Sequence, residues 1–136
     1  MKTVTEVNVS PNGVEDRRVK LSEWSAEELT KIEACTQFIA AYCIKTKALR
    51  KKRGSYGWKH DCENIRRVAA GSYQGHISNG AFIVAAIRAG YRVVRQTAAS
   101  NNCALRMMGL EHTASWKSPN CWFNMSLNAL GRKLDK

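Results

Sequence analysis

The chain is short of acid. Its 136 residues include eleven Asp and Glu against twenty-two Lys and Arg, a net charge of +11. The few acids are also unevenly placed. Residues 1–40 hold seven of them with five Lys/Arg (net −2), which leaves four acids and seventeen cations for residues 41–136 (net +13). Two-carboxylate hydrolysis and Mg²⁺-dependent nuclease chemistry both need clustered Asp and Glu. Asp61 and Glu63, one residue apart, diverge on a helix, so the shortage argues against an enzyme. There are three histidines, and the five cysteines form an odd set without a Cys-x-x-Cys pair. No disulfide framework is expected, and His60, Cys62, Cys103, His112 and Cys121 lack the spacing of a structural zinc site. No metal and no cofactor are expected. Cys62 with His76 is the candidate pair for a thiol nucleophile, with no orienting acid or oxyanion donor marked. No apolar run approaches the ~18 residues of a membrane span, and the first residues lack the apolar stretch of a secretory signal. The expectation is a cytoplasmic chain with reduced thiols and no membrane partner.

The length suits one domain, residues 1–136, with 1–20 as a loosely held arm. In that arm Thr3–Val9 is rich in β-branched residues and suggests a short strand, and Pro11-Asn12-Gly13 is a turn. Ser25-Ala26-Glu27-Glu28 is a capping box. Behind it Leu29, Ile32, Cys35, Ile39, Tyr42, Cys43 and Thr46 recur at helical spacing, which predicts a helix over 26–49 with Cys35 and Cys43 on its core face. A second helix is predicted over 56–69, capped by Ser55, with Trp58, Cys62, Ile65 and Ala69 on one face. Trp58 reads first as core rather than as a stacking platform. A loop with two glycines follows. Ser78 then caps a third helix over 79–89, with Ile77 and Phe82 as a hydrophobic staple and Gly90 in the left-handed closing position. Tyr91–Arg95 reads as a strand, Ala98–Asn102 as a turn and Cys103–Met108 as a return strand. Residues 119–131 read as helix or strand. The strand is favoured over Cys121–Met125, paired with Tyr91–Arg95, and the tail 132–136 is expected to fray. The expected fold class is α+β and mostly helical, three to four helices with a small antiparallel sheet or hairpin. The nearest named arrangement is a winged helix.

The charge is concentrated where the first helix is expected to end. Lys45, Lys47, Arg50, Lys51, Lys52 and Arg53 place six cations in nine residues, and Tyr56 and Trp58 follow at once. A solvated helix end is the ordinary explanation of such a run. A strip that contacts the phosphate backbone is the functional one. Lys59, Arg66, Arg67, Arg88, Arg92 and Arg95 extend the candidate patch, and Tyr56 and Tyr73 are placed to stack on bases if the target is single-stranded.

Four short stretches form a pattern: Ser55-Tyr56-Gly57-Trp58-Lys59-His60, Ile77-Ser78-Asn79-Gly80-Ala81-Phe82-Ile83, Gly90-Tyr91-Arg92-Val93 and Pro119-Asn120-Cys121-Trp122-Phe123-Asn124. In these the chain resembles small uncharacterised proteins of bacteriophages and plasmids. The likeness covers residues 54–95 and 118–126, with 96–117 as an insertion. It implies an accessory protein of a mobile element that either handles nucleic acid or disarms a host defence such as CRISPR. The sequence therefore predicts a basic nucleic-acid-binding accessory protein that contacts mainly phosphates of DNA or RNA. The alternative is an inhibitor of a host defence complex that acts by binding a host protein or ribonucleoprotein.

Overall fold

The computed structural model describes residues 3–97 and 117–135. The turn expected over 98–102, the return strand expected over Cys103–Met108, and the side chains of Cys103 and His112 lie outside them.

The N-terminal segment is fastened at both ends. Thr3 bridges to Val94, and the chain then turns back as a hairpin of β1 (Val9–Ser10) and β2 (Gly13–Val14). Pro11 and Asn12 make the turn where it was expected, but the strand expected across Thr3–Val9 is present only at Val9. The segment is not a loose arm. Val9 and Val14 are buried, and the carbonyls of Asn12 and Pro119 both accept from Asn79 Nδ2.

Helix α1 (Ala26–Tyr42) starts at the capping box. Ser25 Oγ accepts from the Glu28 N–H at 3.1 Å, and the Glu28 carboxylate accepts from the Ser25 N–H at 2.8 Å. Ile32, Cys35, Phe38 and Ile39 form its buried stripe. The helix ends at Tyr42 rather than near 49, and the chain continues as a long strand, β3 (Cys43–Gly54). The apolar spacing from Cys43 to Leu49 fits a helix only weakly. Long-range pairing with a strand some eighty residues downstream overrides it, since tertiary context outweighs local propensity.

Helix α2 (Ser55–Ala70) buries Trp58, Cys62 and Ile65 as predicted, while Ala69 is exposed. Ser55 is not its cap. It is the first helical residue, and its hydroxyl accepts from the Cys121 N–H at 3.0 Å. Gly71, with φ of 76°, closes the helix in the left-handed conformation.

Helix α3 (Asn79–Arg88) forms where predicted. Ser78 Oγ accepts from the Ala81 N–H, and Gly90 follows at φ of 84°. Every residue from Asn79 to Ala86 is buried. Phe82 sits at the junction of the core, with ring centroids 6.2 Å from Phe38, 6.1 Å from Trp58 and 5.6 Å from Phe123.

After α3 come β4 (Val93–Thr97), β5 (Lys117–Leu127) and a short closing helix, α4 (Ala129–Leu134). The three long strands form one antiparallel sheet in the order β3–β5–β4, with Val93 opposite Phe123 and Arg95 opposite Cys121. The strand reading of Cys121–Met125 holds. The helical reading of 119–131 does not hold: residues up to Leu127 are strand, and a helix begins only at Ala129, capped by Asn128, so residues 132–134 are helical rather than frayed.

The fold is α+β. Two helices followed by antiparallel strands keep the element order of a winged helix, but α3 is walled in on all sides over most of its length. It has no free face to lay in a groove, as a recognition helix must. No described helix is long and apolar enough to cross a membrane.

Candidate functional site

The six-cation run is an edge strand, not a helix end. Among the described strands β3 lies at the border of the sheet, and its pairing with β5 breaks twice. Four residues separate Lys45 from Arg50, opposite Met125 and Phe123. Three separate Arg50 from Gly54, opposite the neighbours Phe123 and Trp122. Bulges of this kind push residues out of the ladder and bend the strand. Here the displaced stretches carry Lys47, Lys51, Lys52 and Arg53. All of Lys45, Lys47, Arg50, Lys51 and Lys52 are exposed. Among the described residues no carboxylate pairs with any of the five. Two of them cover aromatic rings: Lys45 Nζ lies 5.5 Å from the centroid of Tyr91, and Lys51 Nζ lies 4.9 Å from that of Trp122. Both residues remain exposed while their ammonium groups lie over a ring face, a cation–π contact.

The other predicted cations divide into those the fold uses and those it leaves free. Arg53 is bound within the protein, 2.6 Å from Asp61 and 4.6 Å over the Trp58 ring. Burial pushes the Asp61 carboxyl up, and the Arg53 guanidinium opposes that shift. Arg88 chelates Glu6 through Nε and Nη2. Arg95 ties Ser118 O (2.6 Å), Asp16 Oδ1 (2.7 Å) and Val14 O (3.2 Å). Arg67 donates to Asn64 Oδ1 at 2.6 Å. Arg66 is half-buried, and its Nη1 has no hydrogen-bond partner among the described residues. Arg92 is exposed and joins the β3 strip. Its N–H donates to Asn124 Oδ1 (2.7 Å), and Asn124 Nδ2 donates to Thr46 O (3.1 Å), so the Asn124 amide of β5 links the backbone at Arg92 to that of β3. At the far end Arg50, Lys52 and Arg53 line a cleft of about 260 Å³ together with Arg132. Sequence reasoning missed Arg132 because it assigned the tail no structure. The only signal was Asn128 as a cap.

The two tyrosines are exposed, 55% for Tyr56 and 69% for Tyr73, and the Tyr56 ring meets that of His60 edge-on at 4.7 Å. Tyr56 follows the end of β3. Tyr73 lies in the α2–α3 loop and lines a shallow cleft with His60, Glu63 and His76. Lys59 is not a surface cation: its side chain is 4% exposed. Trp58 is core.

Glu63 is a hub that the sequence did not disclose. His60 Nδ1 is 3.2 Å from Oε1 and His76 Nδ1 is 3.0 Å from Oε2, while the Ile77 N–H donates to Oε2 at 2.7 Å. Asp61 and Glu63 diverge, as expected, to Arg53 and to the histidines. The thiol pair considered for catalysis does not form. Cys62 is buried, its thiol is pushed up by a hydrogen bond with Cys35 and by burial, and His76 is committed to Glu63. Burial likewise raises Cys43 and Cys121 to about 12, far from a reactive thiolate. Among the described residues no three His, Cys, Asp or Glu side chains are grouped to hold a metal ion. No protein-family model matches this chain, and no curated protein or solved structure matches it.

Proposed function

We propose that this protein binds nucleic acid through its phosphate backbone, along the bulged edge strand β3. The carrying observation is the set of five exposed cations, Lys45, Lys47, Arg50, Lys51 and Lys52, that no described carboxylate neutralises. Left alone they repel one another. Beside phosphates they displace condensed counterions, which is the main sequence-independent source of affinity for nucleic acid. Arg50 and Lys52 continue the strip into the cleft they share with Arg132, whose Nη1 donates to Leu127 O, and with Asp135, the one acid on its wall.

Charge on an edge strand also prevents edge-to-edge aggregation, as do bulges. Lys is the usual residue in that role, and β3 goes beyond it with arginines and six cations in nine residues. The same bulges interrupt the row of backbone donors and acceptors that a protein partner would need to add a strand. With α3 buried, the helix that a winged helix lays in the groove is not exposed, so binding is expected to tolerate sequence.

The test is a triple variant, Lys47→Gln, Arg50→Gln and Lys52→Gln, assayed by gel shift on single- and double-stranded DNA and RNA. These three side chains make no ion pair and no ring contact within the described protein, so the fold should persist. Affinity should fall about uniformly across sequences. Unchanged circular dichroism with unchanged affinity would reduce the strip to a solvated edge.

A further inference from the structure

A second region of the molecule holds a charge that the fold leaves incompletely satisfied. Between the start of α2, the N-terminus of α3 and the β1–β2 turn lies a cavity of about 770 Å³, within the range of small-ligand sites. Lys59 forms part of its wall. The Lys59 ammonium is 3.8 Å from Glu63 Oε1 and 4.8 Å from the Tyr56 ring centroid. It makes no hydrogen bond within the described protein. Glu63 is shared, since His60, His76 and the Ile77 N–H all stand closer to its two oxygens than Lys59 does. An ammonium has three donors, and a buried charge without hydrogen-bond partners is costly. Those donors point to an anionic or acceptor-rich ligand.

The rest of the wall narrows the class. Ser78 and Asn79, the cap and first residue of α3, stand on it, so the positive end of that helix dipole meets the cavity. Asn12 and Asn120 add amides, and Tyr56 adds an exposed ring. The other charged groups on the wall are Lys31, His76, Glu27 and Glu28. Lys31 Nζ is tied to Gln74 O, His76 to Glu63, and Glu28 to the Ser25 N–H. The acids come from the first turn of α1 and the Lys59 ammonium, which is ion-paired at 3.8 Å but not hydrogen-bonded, from α2. Tyr56 lies two residues beyond the C-terminal end of β3.

We propose that this cavity seats one unpaired nucleotide of the strand that β3 holds. Its phosphate sits on Lys59 Nζ beside the α3 N-terminus, and its base lies against Tyr56 within reach of the Asn12 and Asn120 amides. The proposal rests on the nucleic-acid reading of the strip, and its test separates the two. Calorimetric titrations with AMP, CMP and inorganic phosphate would compare the wild type, Lys59→Met, Tyr56→Ala and the triple strip variant, with a thermal melt of each. The wild type and the strip variant should bind the mononucleotides equally. Lys59→Met should weaken that binding about tenfold or more, the loss of one charge-assisted contact. Within Tyr56→Ala the advantage of nucleotide over inorganic phosphate should be lost, and its persistence there would remove the base from Tyr56. Mononucleotide binding by a folded Lys59→Met at wild-type strength would overturn the proposal, as would no saturable binding by the wild type at millimolar ligand. Failure of the strip alone would show only as unchanged oligonucleotide affinity in the triple variant.

Discussion

Arg95 shows how a cation that reads as surface charge becomes a fastening. Its guanidinium joins β4 to the carbonyls of Ser118 and Val14 and to Asp16. Arg95→Met should therefore lower stability by about 2 kcal/mol, because two carbonyls lose a charged donor. A denaturant titration measures this, and nucleic-acid affinity should scarcely change. Glu23 offers a second residue-scale test. The Arg17 hydrogen bond, and after it the Lys20 N–H, hold its carboxyl down at about 2 from an ordinary 4.5. A depressed carboxyl stabilises the fold above its unfolded value and loses that contribution as pH falls through the folded one. The wild type should therefore exceed Glu23→Gln in denaturant midpoint near neutral pH and lose that lead on acidification from about 4.5 toward 2. Residue types were legible in the sequence here, but partnerships were not. The acids of the first forty residues look remote from the downstream cations. The N-terminal segment nevertheless folds back to bring Glu6 to Arg88 and Asp16 to Arg95.

At the scale of elements, legibility followed locality. α3 was readable because its signals are adjacent in the chain: Ser78 before it, Gly90 after it and a staple across its first turn. The start of α1 was readable for the same reason. β3 was not, because nothing near residue 43 announces a strand whose partner is β5. The Glu63 hub was hidden for a related reason, since His76 reaches it only through the loop that returns the chain to α3. The central position of α3 gives a sharp test. A Cβ built on Gly80 would come within 1.8 Å of Ser10 O and 3.0 Å of Pro11 Cα, both backbone atoms of the N-terminal hairpin. Helix propensity favours alanine over glycine by about 1 kcal/mol. Close approach should win instead, and Gly80→Ala should destabilise by about 3 kcal/mol, the upper end for overpacking. A melting temperature equal to or above that of the wild type would show that the hairpin is not held against α3.

For the molecule as a whole, the uneven charge read from the sequence has a structural counterpart. The acids of residues 1–40 serve partly to fasten cations that hold the fold, among them Arg17, Arg88 and Arg95. Among the described residues, the densest run of cations without an ion pair lies on β3. A partner attracted there should feel salt strongly, as surface electrostatics does. The most direct measurement is the slope of log affinity against log salt for a duplex oligonucleotide, taken for the wild type and for the Lys47→Gln, Arg50→Gln, Lys52→Gln variant. With ~6 phosphates neutralised the wild-type slope should be near −5, at ~0.9 per phosphate, and the variant slope should be shallower by about 2 to 3. A flat wild-type response, or two parallel lines of equal affinity, would contradict the assignment of β3 as the nucleic-acid contact.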